Sequence, residues 1–229
     1  MKHVVFAALA VMSLATAGLS APPAELIGRI QSVGNEGANH AAAIAAVKEL
    51  SKAPPTALPE ILKSFDAASP LAANWLRGAF ETIADRALRR QQLDARALEA
   101  FVVDRNNNAS ARRLAYEWLL KVDGTAADRL IPGMLQDANA EFRRDAVQRL
   151  ITAGTTQLDA GNKEDATKTF QQAMIGAVDD DQVRAIVKPL RDLGEMVDIQ
   201  KHFGFVTAWQ LIGPFDNTGT KGFDVAYPP

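Results

Sequence analysis

The chain of 229 residues contains no cysteine and only three histidines, His3, His40 and His202. Without cysteine there is no disulfide framework, no thiolate nucleophile and no thiolate-ligated zinc or iron–sulfur centre. Three scattered histidines do not make a multi-histidine metal site either. Aromatic residues are scarce, at 7%, and an excess of either charge is missing: 25 basic against 27 acidic side chains leave a formal net charge of −2. The balance is local as well as global, since residues 22–106 carry ten of each sign and residues 107–160 seven of each. No segment has the basic surplus that a nucleic-acid backbone or an anionic membrane surface requires, so neither is expected as a partner.

A long hydrophobic run is also absent. The apolar stretch from Val4 to Leu14 follows the single charge Lys2 and meets Ser13, Thr16, Gly18 and Pro22-Pro23 before reaching the roughly 20 residues that a spanning helix needs. A basic start, a short apolar core and small residues at Ala15-Thr16-Ala17 or Gly18-Leu19-Ser20 read as a cleavable secretory signal over residues 1–21. No cysteine follows it to take a lipid. The expectation is an exported protein, periplasmic or extracellular, with no membrane anchor after cleavage.

What the chain has in quantity is alanine, at 41 positions, within a composition that is 48% hydrophobic. Alanine loses no side-chain entropy in a helix and is the best helix former. From Pro22 to about His202 apolar residues recur at helical spacing, interrupted every 10 to 20 residues by cap and turn patterns. Ser69-Pro70 reads as an N-cap with proline at the first helical position. Thr125 with Asp128 fits a capping box, Ser110 stands as an N-cap after Asn106-Asn107-Asn108, and Asn139 and Asn162 are placed to cap the helices after them. Nine or ten short helices are expected, in an all-α fold.

Internal repetition separates a solenoid from a bundle. The segments Arg77–Ile83, Arg113–Leu119 and Arg144–Leu150 share arginine, any residue, alanine (Asp145 precedes Ala146), a large apolar residue, two of any kind, then leucine or isoleucine, at intervals of 36 and 31 residues. An aspartate precedes each arginine in the expected inter-helix turn: Asp66, Asp104 and Asp137. Small alanine permits close helix approach, and an arginine bonded to a turn carboxylate would tie one hairpin to the next. This pattern resembles the HEAT and HEAT-like repeats. The clearest copy runs from Leu130-Ile131-Pro132 through Asp137 to Arg144, Ala146 and Leu150, and the resemblance covers roughly residues 24–150. It implies an α-α superhelix.

A second pattern follows in residues 151–202. Gly154, Ala166, Phe170 and Ala173 stand at the relative spacing that is similar to tetratricopeptide repeats, where phenylalanine wedges between helices and the small residues allow close approach. The terminal proline of that pattern is replaced by Val178. One copy is visible, so a TPR-like continuation and a generic amphipathic hairpin both remain open.

Composition changes near Phe203. Residues 203–229 hold six of the fifteen aromatics, among them Trp209 and Phe215, together with Gly213-Pro214, Gly219, Gly222 and Pro228-Pro229. Val206 to Ile212 is a candidate strand and the rest reads as loop. The run Trp209 to Asn217 with Gly222-Phe223-Asp224 and Tyr227-Pro228-Pro229 resembles the opening of the galactose-binding-like β-sandwiches that follow helical repeats in large secreted bacterial proteins. The resemblance implies a truncated β-domain and a glycan partner reached through its downstream part. An aromatic tail packed on the last helices is the alternative.

No catalytic constellation stands out. Asp104, Asn106 and Asn108 have calcium-loop spacing, but Ala109 and Ala115 replace the turn glycine and the bidentate glutamate. Asp179–Asp181 fits a helix N-terminus, and Asp192, Glu195 and Asp198 fit a solvated helix face. The candidate residues are therefore partner-binding ones. The first members of the arginine pairs, Arg112 and Arg143, would meet acidic groups on a partner if they project from a concave surface, and Trp118, Trp209 and Phe215 are the aromatic candidates. The expectation is an exported, non-catalytic solenoid scaffold with a protein or peptide partner and no cofactor or metal. The alternative is an accessory helical region of a secreted carbohydrate-binding or carbohydrate-active protein.

Overall fold

The computed structural model describes residues 21–211, 213 and 217–223. Residues 1–20 of the expected secretory signal over 1–21, Phe215 and the stretch from Asp224 lie outside the described residues. The fold is all-α, with no strand among the described residues. Among the described residues eleven α-helices follow one another: α1 Pro23–Gln31, α2 His40–Leu50, α3 Leu58–Lys63, α4 Pro70–Arg89, α5 Ala95–Val103, α6 Ala109–Val122, α7 Ala126–Leu130, α8 Ala140–Asp159, α9 Lys163–Gly176, α10 Asp180–Asp192 and α11 Ile199–Phe203. Neighbours in sequence pack as hairpins, α1 on α2, α3 on α4, α5 on α6, and α8 on both α7's 3₁₀ extension and α9. Each hairpin also touches the next, α4 against α6 and α8 against α10, a packing compatible with a superhelix.

Local chemistry sets the helix starts. Ser69 accepts the Ala72 N–H at 3.2 Å with Pro70 as the first residue of α4, and Asn139 accepts the Phe142 N–H at 3.0 Å. Three expected caps differ. Asn108, not Ser110, caps α6, because its carbonyl reaches both the Ser110 and Ala111 N–H groups. Thr125 makes no side-chain cap bond; its hydroxyl donates to Asp123, which also takes the Thr125 N–H. Those bonds and Arg129 hold the Asp123 carboxyl down at about 2. Asn162 starts α9 without a side-chain cap bond. The expected strand at Val206 to Ile212 is not formed over the described residues 206–211, where nothing pairs with its backbone: Leu211 is 96% exposed and Trp209 76%.

Two apolar cores meet inside α8. One runs from Leu26 to Ala146 and includes Leu76, Phe80, Ile83, Leu114 and Phe142; the other starts at Val147 and includes Phe170, Ile186 and Leu190. The Gly154, Ala166, Phe170, Ala173 spacing places all four at the α8–α9 contact. A Cβ on Gly154 would stand 2.9 Å from the Phe170 ring, and the other three are at most 1% exposed. A tighter approach escaped sequence reasoning. A Cβ on Gly176 would lie 2.3 Å from the Leu135 carbonyl oxygen, at a residue that packs on both cores.

The end of α4 is unusual. The Gln92 N–H donates to the Ala87 carbonyl at 2.8 Å and the Gln91 N–H to Leu88 at 3.0 Å, a Schellman cap whose left-handed residue is normally glycine. Here it is Gln91, at φ 55°.

Two substitutions test this packing by urea unfolding. Gly176→Ala gains about 1 kcal/mol of helix propensity but meets a backbone oxygen that cannot rotate away. Its overpacking cost of about 1–3 kcal/mol wins, so the midpoint falls; an unchanged or raised midpoint contradicts the close approach. Gln91→Gly relieves about 1–2 kcal/mol of left-handed strain against about 0.4–1 kcal/mol of added unfolded-chain entropy, and raises stability by about 0.5 kcal/mol.

Candidate partner-binding edge

The residues singled out by sequence do not gather in one place. Arg112, on the first full turn of α6, is buried at 1% exposure and lies inside the stack. Its Nε donates to the Val102 carbonyl at 2.7 Å, and its two terminal nitrogens donate to the two Asp137 carboxylate oxygens at 2.9 Å each. Its guanidinium stands 5.3 Å from the centre of the Phe142 ring. Arg112 is therefore corrected from a partner contact to an internal brace, because a buried guanidinium with its fork filled has nothing to offer an acidic partner.

Asp137 is buried at 1% and also accepts the Asn139 N–H at 2.9 Å. Burial by itself would raise its carboxyl, but the bonds from Arg112 and from the Asn139 N–H outweigh that and hold it below the ordinary carboxylate value. Asn139 completes the junction: its amide donates to the Ala109 carbonyl at 3.0 Å while its oxygen caps α8. The end of α5, the start of α6, the turn before α8 and α8 itself thus meet on one aspartate.

Arg143 bonds the same turn. It is partly buried and donates from Nη1 to the Asp137 backbone carbonyl at 2.9 Å. Arg105, which sequence reasoning passed over, donates to the Gly133 carbonyl at 2.8 Å and brings its Nε to 3.9 Å from the Asp137 carboxylate. Its only advance notice was its place beside Asp104 in the inter-helix turn.

Trp118 is corrected as well. It is buried at 5%, edge-on to Phe80 at 6.4 Å between ring centroids, with the Lys121 ammonium 3.4 Å from its ring centroid. It fills the core between α4 and α6 and reaches no partner. Trp209 is exposed, and Phe215 lies outside the described residues.

The repeated arginines do connect the hairpins, though not through the turn aspartates. Arg77 reaches Glu117 at 3.0 Å; Arg113 reaches Asp145 at 2.6 Å and Glu141 at 2.9 Å; Arg144 reaches Asp181 at 2.6 Å and Asp179 at 2.9 Å. Each runs from one second helix to the next hairpin. Asp104 instead takes the Asn106 N–H at 3.0 Å, and Asp137 is held by Arg112. The bonds from Arg144 hold the Asp181 carboxyl below its ordinary value.

One apolar cleft also escaped the sequence reading. It encloses about 260 Å³ between the Pro55 turn with α3 and the start of α5, with Pro59, Leu62, Leu93, Leu98 and Phe101 in its wall and Asp94 at its side. Among the described residues no group of three or more histidines, aspartates or glutamates is arranged to hold a metal ion.

The brace is testable by substitution. Arg112→Met strands the buried Asp137 charge and costs about 3–5 kcal/mol at pH 7; adding Asp137→Leu recovers part of that loss in urea unfolding. The pH dependence has a fixed sign. The depressed Asp137 carboxyl contributes stability above its unfolded value of about 3.9, lost as pH falls through the lower folded value. Without Arg112, burial raises that carboxyl instead, so the gap between wild type and Arg112→Met narrows between pH 7 and pH 3. A gap that is constant with pH contradicts the pairing.

Comparison of the chain with family models, with curated proteins and with solved structures finds no match in any of the three.

Proposed function

We propose that this chain is an exported α-solenoid scaffold, HEAT-like over residues 22–150 and TPR-like over 151–202, that works by holding a protein or peptide partner rather than by catalysis. The observation that carries the reading is the hairpin-to-hairpin bonding of Arg77, Arg113 and Arg144, three arginines at one repeat position that each reach an acid on the next hairpin. A stack bonded in that way grows by repetition and offers long grooves and edges rather than one closed pocket, the usual working surface of solenoids. Gly154 packed against Phe170 supports the TPR-like hairpin. The secretory pattern of residues 1–21 supports export.

A second reading rests on the C-terminal stretch. Phe205, Val206, Trp209 and Leu211 are all more than 60% exposed, an apolar surface that calls for a cover. A β-domain built from residue 203 onward would supply it, and the helices would then be the accessory region of a carbohydrate-binding protein.

Two measurements separate these readings. Cross-linking of the exported protein in its own compartment, read by mass spectrometry, is expected to give one recurrent partner with links on α3 to α8, and an absence of any protein partner overturns the scaffold reading. Glycan-array binding by the longest natural form of the protein, lost when only residues 22–202 are kept, would favour the accessory role. N-terminal sequencing of exported material is expected to begin after residue 17 or later, and an intact Met1 contradicts signal cleavage.

A further inference from the structure

We propose that the edge where Arg105 and Arg143 flank the Asp137 turn is a docking site for an acidic peptide segment. The inference deepens the scaffold reading by naming the chemistry of the partner and the place it binds.

The argument is one of charge and unused donors. Three guanidiniums, those of Arg105, Arg112 and Arg143, converge on Asp137, and Arg112 bonds both of its carboxylate oxygens, one of which also takes the Asn139 N–H. Arg105 is therefore left at 3.9 Å with its side chain 63% exposed. Arg143 bonds only the Asp137 backbone carbonyl, and among the described residues no carboxylate stands within ion-pairing distance of it. The nearest acids in sequence are engaged elsewhere, Asp145 with Arg113. Asp104 is turned back on the Asn106 amide groups, and Glu141 pairs with Arg113.

The edge thus carries more positive charge than its own carboxylates balance, whereas the repeat arginines Arg77, Arg113 and Arg144 are each matched by acids. Arg105 and Arg143 are held from behind, by the Gly133 and Asp137 carbonyls respectively. Arg105 presents its exposed N–H groups, and Arg143 its terminal ones since its Nε is buried, with little entropy left to lose, which suits the forked geometry of carboxylates. The two are anchored on different carbonyls, four residues apart in the chain, so they fit two carboxylates spaced along an extended peptide rather than a single one.

Fluorescence anisotropy on the full chain tests this, using a labelled octapeptide rich in Asp and Glu, its Asn and Gln counterpart, and a single-stranded DNA 20-mer. The acidic octapeptide is expected to bind, with affinity falling as salt rises. Arg105→Gln and Arg143→Gln should each weaken it by at least fivefold, and Arg184→Gln, a change in an exposed pair on α10, should leave it unchanged. Arg105 is exposed enough that its variant keeps the fold, so the test stands even if Arg143→Gln unfolds. Equal binding of the neutral octapeptide, indifference to Arg105→Gln, or tighter binding of the DNA through the same arginines each overturns the proposal. A recurrent partner cross-linked away from this edge also overturns it while leaving the scaffold reading intact.

Discussion

The Arg112–Asp137 pair is the constraint around which the middle of the molecule is arranged. A guanidinium and a carboxylate taken out of water lose several kcal/mol of hydration each, and only near-complete hydrogen bonding returns it. Arg112 obtains that bonding from Val102 at the end of α5 and from the two oxygens of Asp137 in the turn before α8. It therefore fixes three chain segments at once, because moving any of them leaves a buried charge short of a partner. The rest of the junction follows from the same requirement. The Asn139 N–H supplies the carboxylate with a further bond, and Asn139 then has its side chain in place to cap α8 and to bond the start of α6.

The exposed arginines act differently. Arg77, Arg113 and Arg144 form ion pairs on half-exposed side chains, and pairs of that kind contribute about 0–1 kcal/mol each. Their effect lies in register: a forked donor fixed on one second helix selects which turn of the next hairpin lies beside it. The division of labour is physical. The buried pair makes a wrong arrangement costly, the apolar cores supply most of the free energy, and the surface pairs choose between arrangements that the cores would tolerate almost equally.

How much of this was legible in the sequence follows from the range over which each feature is determined. The helices, the Ser69 and Asn139 caps and the Gly154–Phe170 contact depend on residues close in the chain or on a fixed repeat spacing, and they could be read directly. The repeat arginines could be read as ties between hairpins, but not their partners, since Asp137 and Asp145 are both within sequence reach and only the burial of Arg112 decides which of them Arg113 takes. The assignments of Arg112 and Trp118 to a binding surface failed for one reason: a pattern of charged or aromatic residues does not reveal which side of a helix will face the neighbouring hairpin. Gly176 against Leu135 and the cleft beside Phe101 join segments 41 and 46 residues apart, with no local pattern to announce them.

That failure changes where binding chemistry belongs on this fold. If the first arginine of each pair were free, the partner surface would repeat along the stack with the hairpins. Instead, the Arg112 fork is spent internally, and burying it uses both carboxylate oxygens of the acid that its neighbours would otherwise share. Arg105 and Arg143 are therefore left beside the Asp137 turn, each bonded to a backbone carbonyl. A repeated pattern in the sequence has produced a site that does not repeat, and the cause is that one member of the series was drawn into the core. Specificity in a stack of near-identical hairpins needs such a break in the pattern, because a surface that repeats perfectly offers a ligand several equivalent registers and no reason to prefer one.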